Sequence, residues 1–353
     1  MITLKKRDFG VLADGSKACL YTLKNAGMSV SMTNFGCILT SLLLPSKTGK
    51  TEDILLGFST LEGYAERNRP HLGSLIGRYA NRIQNAAFTL DGKTCRLDAN
   101  LGAHSLHGGF LGYDKLLWKA EMVSVGEGAG VRFTRISPDG EQGYPGNLDL
   151  EVLYLLNDNN ELTLRYTGKT DAPTPVNLTQ HAYFNLKGHK GGNVASHLAW
   201  VDSAKRLEVD ADLVPTGKIL GAAGTAFDFT REKSFGRDSG AVELAPTKGG
   251  YDACYCFDPP EPGAALPKRA VVREPESGRS VTLLTNQPCM QLYTSANLTA
   301  LLGKNGTIYD QFGAFCLETG GYNNAPNIPE FPQSTLRPGE IYESVTVYRF
   351  NAD

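Results

Sequence analysis

Between Leu148 and Tyr166 apolar residues fall at every second position. Leu148, Leu150, Val152, Tyr154 and Leu156 alternate with their neighbours, Asn157–Asn160 interrupts, and Leu162, Leu164 and Tyr166 resume the alternation. A period of two belongs to a strand with one buried face; a helix repeats every 3.6 residues. Two such runs around a cluster of turn-forming residues predict a long β-hairpin.

Comparable signals recur along the chain. Ala18–Leu23 and Met28–Met32 flank the turn Asn25-Ala26-Gly27, and the largely apolar run Cys37–Leu44 ends at Pro45. Phe88–Leu90 and Thr94–Leu97 flank Asp91-Gly92, a strong hairpin signal. Val131–Ile136, the pair Val271–Arg273 and Val281–Leu284, and Tyr342–Phe350 read as further strands, with Gly126-Glu127-Gly128-Ala129-Gly130 as a turn. Helical periodicity is scarce; Leu61–Glu66 suggests one short turn, closed before Pro70. The 39 glycines and 18 prolines lie mostly between the runs, and no low-complexity linker divides them. The expectation is an all-β fold: a single large antiparallel β-sandwich with few short helices, residues 1–353 forming one domain. A division into two β domains near Pro173-Thr174-Pro175 is the alternative.

A net charge of -2 and a pI near 6.3 argue against nucleic acid or an anionic membrane as partner, and suit an uncharged small molecule. No apolar run is long enough to span a bilayer, and no apolar run follows the basic residues of MITLKKRDFG as a signal peptide requires. Seven irregularly spaced cysteines suggest reduced thiols in the cytoplasm. There is no G-x-G-x-x-G after a strand, no Walker loop and no G-x-S-x-G, so neither a nucleotide cofactor nor a serine nucleophile is expected.

Candidate chemistry starts at FGAFCLETGGYNN, Phe312 to Asn324. Ala314–Leu317 reads as a strand that stops at Glu318, before the breakers Gly320 and Gly321. A carboxyl carried by so apolar a run should be partly desolvated, which raises its pKa towards that of a general base. A solvated acid at a strand mouth is the simpler possibility. His181, among amides and aromatic rings in NLTQHAYFNL, can serve as acid or base near neutral pH, or be a satisfied core histidine. His107 precedes Gly108-Gly109, where backbone and imidazole can approach a ligand; it could equally cap a turn. Arg78 and Arg82, with Asn81 between them, offer planar donors but read most simply as surface residues. Asp252 and Gln291 complete an inventory of planar polar groups and rings that suits a sugar. His104 and His107 would converge on a metal only if helical, and no H-E-x-x-H exists, so zinc is not expected.

Taken together, GRYANRI at 77–83, SLHGG at 105–109, SPDGEQGYPGNL at 137–148, HAYFNL at 181–186, LVPTGKI at 213–219, QLYT at 291–294, CLET at 316–319 and FPQSTLRPGEIY at 331–342 resemble the aldose 1-epimerase (galactose mutarotase) family, in the family's order. The resemblance implies a large antiparallel β-sandwich with a sugar cleft. It also implies cofactor-free interconversion of the α and β anomers of a free aldose, by a monomer or homodimer. Position by position, Glu318 corresponds to the catalytic base, His181 to the acid and His107 to a second site histidine; Asn81, Arg82, Asp252 and Gln291 correspond to residues that hold the sugar. The chain departs from the family pattern at Ala253, where a histidine is common, and at Gly320 to Asn324. Both departures are expected to line the cleft and to bear on sugar preference. A non-catalytic sugar-binding protein on the same scaffold, a glycoside hydrolase and a form acting on phosphorylated hexoses are the competing functions.

Overall fold

The computed structural model describes residues 2–126, 128–261 and 263–353. The 148–166 alternation forms the hairpin it predicts. Leu148–Leu156 pairs antiparallel with Glu161–Thr170, Leu156 opposite Leu162, and burial alternates along both strands except at Leu153, which is also buried. Asn157 organises the turn, its Oδ1 accepting from the Asn159 and Glu161 amides. This hairpin lies inside a nine-stranded sheet of order Lys119–Val125, Gly128–Ser137, Leu148–Leu156, Glu161–Thr170, Tyr342–Ala352, Arg279–Thr285, Lys268–Arg273, Leu198–Val201 and Lys233–Ser234. Glu161–Thr170 pairs with the C-terminal strand, and Thr174–Pro175 pairs with Thr335–Leu336. Strand pairing therefore crosses the candidate boundary at 173–175.

Two five-stranded antiparallel sheets accompany it. One takes Thr3–Val11, Lys17–Lys24, Ser29–Thr33, Leu39–Pro45 and Thr51–Asp53 in sequence order. The other has the order Pro215–Gly221, Lys205–Val209, Asp252–Cys256, Cys289–Tyr293 and Cys316–Gly320. One apolar cluster joins all three sheets: Val152, Tyr154 and Leu164 from the nine-stranded sheet, Leu23, Val30 and Met32 from the first, Tyr255, Met290 and Leu317 from the second. Each sheet is buried on the face it turns to that cluster, which is why period-two patterning dominates the sequence.

Local expectations hold with three adjustments. Asp91-Gly92 forms a two-residue hairpin, both residues at positive φ (48° and 77°) as a type I′ turn requires. The helix Leu61–Arg67 is capped by Thr60, whose hydroxyl accepts from the Gly63 amide. All seven cysteines are free. The 126–130 run, expected as a turn, is mostly strand: Gly128 opens Gly128–Ser137, Gly126 turns at φ 55°, and Glu127 lies outside the described residues. Arg78 is not at the surface. It is 2% exposed, and its guanidinium donates to the carbonyls of Pro145, Gly146 and Ser137 and to the Thr174 hydroxyl. A buried cation surrounded by loop carbonyls ties the 137–146 loop to the core. Thirdly, the strand expected over Ala314–Leu317 runs instead from Cys316 to Gly320 and does not stop at Glu318.

Candidate active site

Glu318 sits within the strand Cys316–Gly320, opposite Gln291, and pairing continues to Gly320 opposite Cys289. Gly320 is no strand breaker. A Cβ there would lie 2.6 Å from Asn177 Oδ1, which accepts from the Gly321 amide, so glycine is demanded by a close approach. One strand further in, Asp252 opens Asp252–Cys256, opposite Tyr293. Three neighbouring strands thus carry Glu318, Gln291 and Asp252 in a row. Gln291 Nε2 donates to Asp252 Oδ1 at 2.5 Å, and Asn323 Nδ2 donates to Gln291 Oε1 at 2.9 Å.

The other side of the row comes from loops. His181 ends the short strand Thr179–His181, opposite Ser74. Arg82 and Leu106 face one another across a two-stranded pairing, which places His107 beside Asn81. Asn81 and His107 both adopt left-handed backbone, φ 65° and 53°, a region in which both residue types are enriched. Gly108 permits this turn, since a Cβ there would lie 2.0 Å from the Gly77 carbonyl oxygen. All seven sequence candidates, Asn81, Arg82, His107, His181, Asp252, Gln291 and Glu318, line one cavity of about 280 Å³. Arg69, Pro70, His71, Leu106, Tyr183, Tyr293, Asn297 and Leu298 complete its walls.

The electrostatics follow from burial. Glu318 is 6% exposed; desolvation, helped by the neighbouring Asp252 charge, raises its pKa well above the carboxylate range against the pull of Arg82. Desolvation likewise raises Asp252, with Arg82 and Gln291 opposing. Burial, reinforced by His71, pushes His181 down to about 3. Its Nε2 lies 3.6 Å from Glu318 Oε1, and its ring stacks on Tyr183 at 4.9 Å. A proton belonging to this pair therefore rests more readily on Glu318 than on His181. His107 Nδ1 accepts from the Asn81 amide at 3.2 Å, so Nε2 carries the proton and offers a neutral donor. Burial first, then His71 and His181, holds His107 well below its usual range. Among the described residues, Arg82 Nε and His181 Nδ1 are buried without a partner.

His104 is not part of this site; its Nδ1 accepts from the Asn85 amide. His181, Cys316 and Glu318 place potential ligand atoms within 4.8 Å of one another, a grouping that could hold a metal ion and that spacing in the sequence did not suggest. Of the departing positions, none lines this cavity, but Gly320, Gly321 and Asn323 line a small pocket beside it together with Asn81, Gln291 and Glu318. Asn323 holds Gln291, and the Tyr322 carbonyl accepts from Tyr79. Among the cavity residues that sequence reasoning passed over is His71, paired with Asp114. It lies in Pro-His-Leu, a context without periodicity, and only the fold brings it to the cavity.

The aldose 1-epimerase family profile matches residues 19–349. The chain belongs to this family. Among its relatives, the galactose mutarotase of Rattus norvegicus is 38% identical over 353 residues, covering 99% of both chains. The aldose 1-epimerase of Escherichia coli (strain K12) is 35% identical over 343 residues, covering 96% of this chain and 97% of its own. Among solved structures, an aldose epimerase homologue from C. elegans superposes with a TM-score of 0.82 at 31% identity, covering 93% of this chain and 97% of its own. Galactose 1-epimerase from Lactobacillus acidophilus gives 0.85 at 26% identity, with 99% of both covered. Every stretch that carries the resemblance in sequence lies inside the matched residues.

Proposed function

We propose that the protein is an aldose 1-epimerase that interconverts the α and β anomers of a free hexose such as galactose or glucose. The observation that carries the proposal is the His181–Glu318 pair, Nε2 to Oε1 at 3.6 Å, on the wall of a cavity whose other polar groups suit hydroxyls. Opening a hemiacetal requires removal of the C1 hydroxyl proton and delivery of a proton to the ring oxygen. Glu318 takes the first as its carboxylate; His181, protonated, gives the second. The C5 hydroxyl and C1 aldehyde that result allow rotation about C1–C2, and closure on the other face returns both protons.

One proton serves the pair throughout, on His181 before opening and on Glu318 after. The opposed shifts favour the second state. A bound sugar, donating from its C1 hydroxyl to Glu318 and accepting from His181, favours the first. Each proton transfer of this kind contributes roughly 10²- to 10⁴-fold. Arg82 and the His107 Nε2–H donate to oxygens that gain charge as the ring opens. Asn81, Asp252 and Gln291 hold the remaining hydroxyls.

The same reading takes residues 1–353 as one domain, supported by the pairing of Glu161–Thr170 with Tyr342–Ala352. It places the protein in the cytoplasm as a monomer or homodimer that acts on free sugar without nucleic acid, membrane or cofactor. The seven free cysteines support that compartment. The test is polarimetry of freshly dissolved α-D-galactose and α-D-glucose. Accelerated drift to the equilibrium rotation is expected; an unchanged rate across several aldoses, with sugar still bound, would leave a binding protein.

A further inference from the structure

A third imidazole enters the cavity and takes no part in the proton transfers above. The His71 ring stands edge-on to His107 at 4.9 Å and lies 6.3 Å from His181. Its Nδ1 is 2.9 Å from Asp114 Oδ2. Asp114 is 4% exposed, in the turn Tyr113–Lys115, with Lys115 Nζ at 3.9 Å from the same oxygen. A carboxylate only accepts, so the His71 Nδ1 carries the proton, and whenever the ring is neutral its Nε2 keeps a lone pair. His71 adopts left-handed backbone at φ 62°.

The balance of hydrogen-bonding groups shows what that lone pair can do. Arg82 and the His107 Nε2–H are donors. Asp252 Oδ1 already accepts from Gln291, and Glu318 is committed to the C1 hydroxyl. A hexose ring carries several more hydroxyl protons to be received. Among the described residues no partner hydrogen-bonds His71 Nε2, and the side chain is 14% exposed in a cavity it helps to line.

We propose that His71, oriented by Asp114, is a substrate-binding residue that accepts a hydrogen bond from a sugar hydroxyl remote from C1 and so helps to set which aldose the cavity prefers. The proposal rests on the sugar-binding reading of this cavity. Two substitutions separate the ring nitrogens. Asn at 71 places an amide near Nδ1 and keeps the donor to Asp114, but has nothing at the Nε2 position. Gln reaches the Nε2 position with an acceptor.

His71→Asn is expected to raise KM about tenfold with kcat within threefold, the signature of uniform binding lost. His71→Gln is expected to recover most of it. On the deoxy sugar that lacks the contacted hydroxyl, wild type and His71→Asn should converge. A KM for His71→Asn within twofold of wild type on every aldose, or equal losses in both variants accompanied by a lowered Tm, would overturn the proposal. Calorimetric Kd values on the same proteins keep the two readings apart. If wild type binds sugar without accelerating anomer exchange, the reaction fails, and the Kd ratio between His71→Asn and wild type still decides His71.

Discussion

Replacing His181 with Phe should change how stability responds to acid. The aromatic ring keeps the stacking surface against Tyr183 but cannot titrate. His181 is 5% exposed, and burial lowers its pKa from 6.5 to about 3. A depressed folded-state pKa means that the unfolded chain takes up this proton first as pH falls. The contribution of neutral His181 is therefore whole above pH 6.5 and is lost between 6.5 and 3, at about 1.4 kcal/mol per pH unit. Between pH 7.5 and pH 5 that amounts to about 2 kcal/mol lost by wild type and not by the Phe variant. Glu318 acts in the opposite sense, because its pKa is raised, but both proteins contain it and the difference cancels its effect. Urea titrations followed by fluorescence of the buried Trp118 at several pH values provide the two curves. The stability gap should shift by about 2 kcal/mol in favour of the Phe variant at pH 5. Parallel curves would refute the burial argument for His181.

Arg78→Ala removes a cation that satisfies several buried loop acceptors, and should destabilise the fold by about 3 kcal/mol or more, read as a lower urea midpoint. Asn323→Ala frees the Gln291 amide that orients Asp252, and should lower kcat/KM about tenfold while leaving the melting temperature near wild type. Gly320→Ala forces a methyl against Asn177 and should destabilise by about 1–3 kcal/mol, measured by the same titration.

The nine-stranded sheet was legible because strands such as Glu161–Thr170 and Arg279–Thr285 bury one face. Alternation from Leu148 to Tyr166 and the Asp91-Gly92 pair state their structure locally, and pairing follows. Glu318, His181, His107 and Asp252 were legible as chemistry through their motifs, yet their convergence on one cavity is a property of the fold. Misjudged positions were those whose surroundings come from distant segments. Arg78 read as exposed because a lone arginine carries no sign of the carbonyls at 137–146 that surround it. Gly320 read as a breaker, although its cause is Asn177, far away in sequence. His71 carried no local signal, since its partner Asp114 lies 43 residues on.

The central claim is that Glu318 exchanges the anomeric proton, and saturation-transfer NMR between the α and β anomeric protons of galactose tests it most directly. Glu318→Gln keeps the size and hydrogen-bonding reach of the side chain but cannot act as a base. The account predicts that the exchange rate falls by roughly 10²-fold or more while the calorimetric Kd for the sugar stays within a few-fold of wild type. An exchange rate in the Gln variant within a few-fold of wild type would contradict it.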